Sequence, residues 1–233
     1  MQRHTDSAVS DSTNKGKMML SVGILVFDHV EILDFSGPYE VFSTASRVHT
    51  RLSGMPISFR CFLVADEMRP VRARGGLQVL PDCVLPPPAD IDVLIVPGGD
   101  ISNVIRNSGV IGWIQRCSRE VALTASVCTG AFLLAEAGLL NGLKATTHWE
   151  DLAELQKRFP EVNVRPDLAW VDCDKVVTSG GISAGIDMSL HLVERLADTA
   201  LAHATARQME YRWNPHETNK PAQQTDSGLF LAA

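Results

Sequence analysis

Short apolar runs alternate with longer amphipathic segments along most of the chain. The apolar runs have the length and the branched side chains of buried strands, and they lie at 22–27, 59–65, 93–96, 122–127 and 176–178. The other segments have the apolar spacing of helices, which predicts helices at 34–47, 111–119, 130–137, 149–159, 185–197 and 201–213. Strands that alternate with helices predict an α/β protein, with a mostly parallel sheet covered by helices on both faces.

The same pattern predicts a single domain over residues 18–213. Polar residues dominate 1–17, which we expect to be a disordered leader, and 214–233 has the composition of a similar tail. Alternation at 70–81 around a Gly-Gly pair predicts a small hairpin, and three prolines at 86–88 predict a stiff connector into the next strand. The sequence contains no internal repeat and no second core.

Composition narrows the class of protein. The chain has 233 residues, of which 45% are apolar and 21% charged, so one sizeable core needs no cross-links. Its five cysteines lack a disulfide-type spacing, which favours a reducing compartment and a cytoplasmic location. A net charge of −6 without a basic cluster disfavours nucleic-acid binding. The apolar run at 18–27 is too short to span a bilayer, and charged residues stand where a signal peptide would be cleaved, so no membrane association is expected.

One cysteine stands in a context that suggests reactivity. The strand predicted at 122–127 breaks at Cys128, and a helix restarts at Gly130 and Ala131, which is the outline of a nucleophile elbow. The small residues allow the helix to begin without a clash, and its N-terminus would favour a thiolate at Cys128. The other four cysteines have no such context and are expected in packing roles.

Glycine-rich turns follow three of the predicted strands, and such turns at the carboxyl edge of a parallel sheet commonly form ligand sites. The turns lie at 97–99, 128–130 and 179–181. Gly98 and Gly99 could present backbone N–H groups to an anion that develops beside the sulfur of Cys128. The alternative is that these glycines only turn the chain.

Five blocks of sequence lie in order along the chain: 34–41 (DFSGPYEV), 96–99 (VPGG), 127–131 (VCTGA), 145–149 (ATTHW) and 180–187 (GGISAGID). Together they resemble the ThiJ/PfpI superfamily, which is glutamine amidotransferase-like, and within it the isonitrile hydratase (isocyanide hydratase) branch. The likeness runs from about residue 19 to residue 213. The blocks are also similar to the N-terminal domain of certain AraC-type regulators, which carry in addition a helix-turn-helix domain that these 233 residues do not contain.

The resemblance implies a flavodoxin-like sandwich that forms a homodimer and uses neither a metal nor an organic cofactor. It also implies a lyase of the hydro-lyase type, with a small-molecule isonitrile as substrate. Cys128 would attack the isonitrile carbon, and water would hydrolyse the resulting thioimidate to an N-substituted formamide. This chemistry needs an ionised sulfur, a proton for the carbon and an activated water.

Two further residues receive catalytic roles from the resemblance. Asp34 matches the acidic residue that hydrogen-bonds the cysteine, and apolar neighbours on both sides should raise its pKa, so that it can lend and recover a proton. The alternative role for Asp34 is a helix N-cap. Thr129 stands where many peptidase-like relatives have histidine, which moves the prediction from peptide hydrolysis to hydration. Its hydroxyl would bind substrate or intermediate, or else simply pack at the helix start, and its backbone N–H is useful in either case.

Four residues are candidates for a pocket beside Cys128: His148, Trp149, Trp170 and Ile182. His148 could approach the cysteine from the side, although a histidine in such a place is more often a packed, hydrogen-bonded residue. Trp170 lies ahead of a turn, in a segment more typical of a hairpin than of a binding loop. Asp187 is expected to cap or adjoin the helix at 185–197.

Two other functions fit the same sequence. One is a redox or carbonyl-stress protein in which Cys128 has a lowered pKa and reacts with oxidants or electrophiles. The other is a ligand-binding module without catalysis, like the regulator domain.

Overall fold

The computed structural model describes residues 19–55 and 58–214, and it confirms the α/β architecture. The predicted leader and all but the first residue of the predicted tail lie outside the described residues. The strands are β1 (Leu20–Leu25), β2 (Phe59–Ala65), β3 (Val71–Arg72), β4 (Gln78–Val79), β5 (Cys83–Val84), β6 (Val93–Val96), β7 (Leu123–Val127), β8 (Lys144–Ala145), β9 (Asn163–Val164), β10 (Trp170–Cys173) and β11 (Val176–Ser179). The α-helices are α1 (Ile32–Ser53), α2 (Ser108–Glu120), α3 (Gly130–Glu136), α4 (Leu152–Arg158), α5 (Ala184–Leu196) and α6 (Thr199–Gln208).

Seven strands form the central sheet, in the order β10-β11-β7-β6-β1-β2-β5. Every neighbouring pair is parallel except β10 with β11, which form an antiparallel hairpin at one edge. The central strands β6 and β7 are buried along their whole length, as expected for parallel strands with helices on both faces. Helices α1, α5 and α6 contact one another, and α2 contacts α3, so two separate groups of helices flank the sheet.

The registers bring several strand ends to one edge of the sheet. Val96 at the end of β6 pairs with Ser126, and Ser179 at the end of β11 pairs with Val127. The turns after β6, β7 and β11 therefore meet in space, as the sequence predicts. This edge holds Cys128 and the residues around it.

The differences from the predicted elements have local causes. α6 ends at Gln208 rather than at 213, because Glu210 has a left-handed φ of 52° that stops the helix. The helix predicted at 149–159 begins as a 3-10 turn before α4. The hairpin predicted at 70–81 is confirmed as β3 and β4. The two-residue strands β5 and β9 are too short to produce an apolar run and were not predicted.

Among the described residues, no helix combines the length and the apolar character that crossing a bilayer requires.

Candidate active site

Cys128 occupies the turn between β7 and α3. Its φ is +57°, a left-handed conformation that a residue other than glycine rarely adopts. Its N–H donates to the carbonyls of Ser179 at 3.1 Å and Gly180 at 3.3 Å, and its own carbonyl accepts from the Thr147 hydroxyl at 2.8 Å. These bonds from two neighbouring segments hold the unusual backbone in place. The strained turn after a buried strand has the geometry of a nucleophile elbow.

Gly130 is required for this turn. A Cβ at residue 130 would overlap the carbonyl oxygen of Val96, so a side chain there would push α3 away from the end of β6. The absence of a side chain lets α3 start directly behind Cys128. The backbone N–H of Thr129 then lies close enough to the sulfur to lower the pKa of the Cys128 thiol.

Asp34 lies on α1 and is completely buried. It is the third residue of that helix, and the N-cap is Glu31, whose carboxylate accepts from the Ile32 N–H at 3.2 Å. The alternative role of Asp34 as the helix cap is therefore wrong. Its Oδ2 accepts from the Gly98 N–H at 3.1 Å. Its Oδ1 has no hydrogen bond of normal geometry among the described residues, although the Cys128 thiol is close enough to act on the carboxyl.

The environment of Asp34 favours the protonated carboxyl up to about neutral pH. Burial raises the pKa of the carboxyl from 3.8 to about 7 and outweighs the Gly98 N–H, which lowers it. Glu31 raises this pKa a little further, whereas the Cys128 thiol and Arg74 lower it. Asp34 can therefore both give and accept a proton at physiological pH.

The thiol of Cys128 differs from the sequence-based expectation of a lowered pKa. Burial raises the pKa of the thiol, the Asp34 carboxylate raises it further, and the Thr129 N–H opposes both. The helix behind the sulfur is only seven residues long, so its dipole is small. Cys128 and Asp34 form a coupled pair in which the protonation of one controls that of the other.

The amides of Gly98 and Gly99 do not form the anion site that the sequence suggests. The Gly98 N–H is taken by Asp34, and the Gly99 N–H donates to the Thr129 hydroxyl at 2.9 Å. That hydroxyl also donates to the Gly99 carbonyl at 2.9 Å. The two glycines and Thr129 thus hold the loop after β6 against the elbow. The Thr129 backbone N–H is the amide that faces the sulfur.

His148 approaches Cys128 across Gly181. A Cβ built on Gly181 would lie 2.7 Å from the Cys128 Sγ and 2.8 Å from the His148 Nδ1, so the sulfur and the ring border the same small space. The Nδ1 is buried and has no hydrogen-bond partner among the described residues, while the Nε2 lies 3.3 Å from the Glu150 carboxylate. This nitrogen can therefore exchange a hydrogen bond with a small polar molecule in the space beside the sulfur.

The other candidate pocket residues separate into two groups. Trp149 and Ile182 are 57% and 40% exposed and adjoin His148 and Gly181 in the chain, so they can contact a molecule that enters the site. Trp170 is buried and stacks on His191 of α5 with ring centroids 4.1 Å apart, which makes it a packing residue of the β10–β11 hairpin.

Asp187 neither caps α5 nor reaches the Cys128 site in any described contact. The Tyr211 hydroxyl donates to its Oδ2 at 3.1 Å, and burial raises the pKa of this carboxyl to about 6. The bond ties the segment after α6 to α5. Asp187 is therefore a structural residue.

Sequence reasoning missed Thr147, Gly181 and Glu31 as parts of this site. Thr147 and Gly181 lie inside conspicuous blocks, but their roles depend on contacts between segments far apart in the chain. Among the described residues, no group of three or more His, Cys, Asp or Glu side chains is arranged to hold a metal ion.

Comparison with known proteins places this site in a family context. The sequence pattern of the DJ-1/PfpI family matches residues 20–195. Isonitrile hydratase from Pseudomonas putida is 33% identical over 215 residues, which cover 91% of this chain and 83% of that protein. The HTH-type transcriptional regulator GbdR from Pseudomonas aeruginosa is 32% identical over 192 residues, which cover 82% of this chain and 50% of the regulator. The chain thus spans about half the length of that regulator.

Solved structures agree on the fold. A ThiJ/PfpI family protein from Pseudomonas syringae superposes with a TM-score of 0.72 at 24% identity, covering 97% of this chain and 86% of that chain. A DJ-1 mutant from Schizosaccharomyces pombe gives a TM-score of 0.68 at 19% identity, covering 83% of this chain and all of that chain. At these identities the likeness establishes the flavodoxin-like fold alone.

Proposed function

Because the chain belongs to the DJ-1/PfpI family, we propose that its Cys128 site performs the reaction for which the Pseudomonas putida relative is named, the hydration of isonitriles to N-substituted formamides. The observation that carries this proposal is the pairing of Cys128 with a buried carboxyl whose pKa is raised to about 7. Isonitrile hydration needs a nucleophile and a proton that moves to and from the reacting atoms. Asp34 and Cys128 supply both.

The first half of the reaction forms a thioimidate. Asp34 as carboxylate takes the proton of the Cys128 thiol, and the thiolate attacks the terminal isonitrile carbon, forming a C–S bond. Asp34 then returns the proton to that carbon, which gives a thioimidate of the form R–N=CH–S–Cys. The thiol proton ends on the carbon, so no other proton source is needed.

The second half adds water. Asp34, again a carboxylate, takes a proton from a water molecule whose oxygen bonds to the thioimidate carbon, and then passes that proton to the imine nitrogen. The tetrahedral intermediate collapses with cleavage of the C–S bond, and the hydroxyl proton returns to the Cys128–Asp34 pair. The product is R–NH–CHO, which is the isonitrile plus one water.

Other groups fit supporting roles in this proposal. The Thr129 N–H stabilises negative charge on the sulfur as it leaves, while the Thr129 hydroxyl positions the loop that orients Asp34. The unpartnered Nδ1 of His148 is placed to hold the attacking water. The exposed side chains of Trp149 and Ile182 suit a substrate with an apolar substituent.

The direct test is to incubate the protein with cyclohexyl isonitrile and follow N-cyclohexylformamide by NMR. We expect turnover by the unmodified chain and a loss of at least about a hundredfold in Cys128→Ala and in Asp34→Asn, because each removes a group that reacts directly. No turnover by the folded, unmodified chain, or full turnover in either variant, would overturn the proposal. Ready oxidation of Cys128 by mild peroxide without turnover would instead favour a redox or carbonyl-stress protein.

A further inference from the structure

An ion pair beside the site connects the loop before α1 with the β3–β4 hairpin. The Glu31 Oε2 lies 3.4 Å from the Arg74 Nη1. The Arg74 N–H also donates to the Val30 carbonyl at 3.0 Å, which fixes the hairpin against this loop. The Glu31 side chain is 21% exposed and that of Arg74 is 59% exposed. An ion pair as exposed as this contributes little to stability, so its placement calls for another explanation.

Glu31 is bound to the same backbone groups that position Asp34. The Glu31 N–H donates to the Gly98 carbonyl at 2.9 Å, and the Asp34 N–H donates to the Glu31 carbonyl at 3.2 Å. The Gly98 N–H in turn donates to the Asp34 carboxylate. These three bonds form a closed ring, which fixes the backbone of Glu31 relative to the Asp34 carboxyl, and the ion pair attaches Arg74 to the Glu31 side chain.

We propose that Glu31 and Arg74 are positioning residues that shift the proton affinity of Asp34 in opposite directions. The negative charge of Glu31 favours the neutral carboxyl, and the positive charge of Arg74 favours the carboxylate. Asp34 must alternate between these two forms during hydration, so the ion pair sets the pH range in which the site works. This inference rests on the proposed role of Asp34 as the proton carrier.

The charged groups around Asp34 shift its pKa in these two directions. The charged or titratable groups that act on it come from three elements: Glu31 at the start of α1, Arg74 in the hairpin, and Cys128 after β7. Glu31 raises the pKa of Asp34, and Arg74 lowers it by less. His148 lowers the pKa of Asp151, and Asp151 raises the pKa of Cys128.

The test measures the titration of Asp34 itself, by infrared difference spectroscopy of its protonated carboxyl as a function of pH. The band is assigned by its loss in Asp34→Asn. Glu31→Gln keeps an oxygen for the helix cap but removes the charge, and should lower the midpoint by on the order of half a pH unit. Arg74→Gln should raise the midpoint by less, and the double variant should lie between the two single variants.

The matched control is the nearby surface ion pair of Arg69 and Glu67, whose charged atoms are 2.7 Å apart. Glu67→Gln and Arg69→Gln should leave the Asp34 midpoint unchanged. Shifts of the same sign in Glu31→Gln and Arg74→Gln, or no shift in either, would overturn the inference. The titration needs no isonitrile, so failure of hydration and failure of this inference are distinguishable, and Arg74→Gln tests the claim even if Glu31→Gln does not fold.

Discussion

A carboxyl group as fully buried as that of Asp34 makes the folded state sensitive to pH. Its pKa is raised from 3.8 to about 7, so the folded protein binds this proton more tightly than the unfolded chain does. Folding stability is therefore lost as the pH rises from about 4 through about 7, at up to about 1.4 kcal/mol per pH unit. The free energy of unfolding falls by about 4 kcal/mol at most, because structural relaxation around a buried charge lowers the cost of ionising it.

Asp34→Asn should remove the free-energy cost of ionising a buried carboxyl at this position. We expect the variant to be more stable than the unmodified chain at pH 8, by a few kcal/mol, with the difference shrinking at pH 5. Urea denaturation at both pH values measures it. Asp187, whose pKa is raised to about 6, titrates in both proteins and cancels from the comparison. A stability difference of the same size at both pH values would mean that Asp34 does not titrate as described.

The sequence predicted that Asp34 and Cys128 lie at the same edge of the sheet, but it did not predict which groups they bond to. The positions of Asp34 and Cys128 after predicted strands were sufficient to bring them to one edge of the sheet. The occupation of the Gly98 and Gly99 amides by Asp34 and Thr129 was not predictable, because it depends on ångström-scale placement of the loop after β6. The raised pKa of the Cys128 thiol was not predictable for the same reason, because burial depends on how the whole molecule packs.

At the scale of elements, the loop between β11 and α5 borders the reacting sulfur. It contains two consecutive glycines in different surroundings. A Cβ on Gly181 would crowd Cys128 and His148, whereas a Cβ on Gly180 would meet nothing nearer than 3.5 Å. The loop thus has one position that must remain without a side chain and one that can accept a methyl group.

Gly181→Ala should obstruct the site, and Gly180→Ala is its matched control. We expect Gly181→Ala to slow isonitrile turnover by at least about tenfold, since misplacing reacting groups by about an ångström has effects of that size or more. Gly180→Ala should retain nearly full turnover. Circular dichroism and thermal melting show whether each variant is folded. Equal activities of the two folded variants would contradict the placement of Gly181 beside the sulfur.

The long elements and the short β3–β4 hairpin were predictable from the sequence, whereas the two-residue strands β5 and β9 were not. Strands β2 and β6 match their predicted bounds, because a buried parallel strand is a continuous apolar run between turn residues. The early end of α6 was missed because its apolar pattern continues into the segment that Tyr211 ties to Asp187. The left-handed backbone at Glu210, not the end of the apolar pattern, sets that boundary.

At the scale of the whole molecule, one fold is shared by proteins with different functions. The relatives include an isonitrile hydratase and transcriptional regulators, and family membership alone does not select between catalysis and ligand binding. What distinguishes the proposed enzyme is that Cys128 has a dedicated proton partner. A redox protein needs an ionised thiol but no group that carries a proton to a substrate, and a binding module needs neither.

The rate at which iodoacetamide alkylates Cys128, measured against pH in the unmodified chain and in Asp34→Asn, tests this claim most directly. Mass spectrometry of the Cys128 peptide separates its reaction from that of the other four cysteines. We predict a rise in rate near pH 7 in the unmodified chain, because the Asp34 carboxylate forms there and takes the thiol proton. Asp34→Asn should lack this rise, because no carboxylate accepts the thiol proton, and should react only at the higher pH where the buried thiol ionises by itself. Identical profiles for the two proteins, or a rise well below pH 7 that survives in Asp34→Asn, would contradict the account.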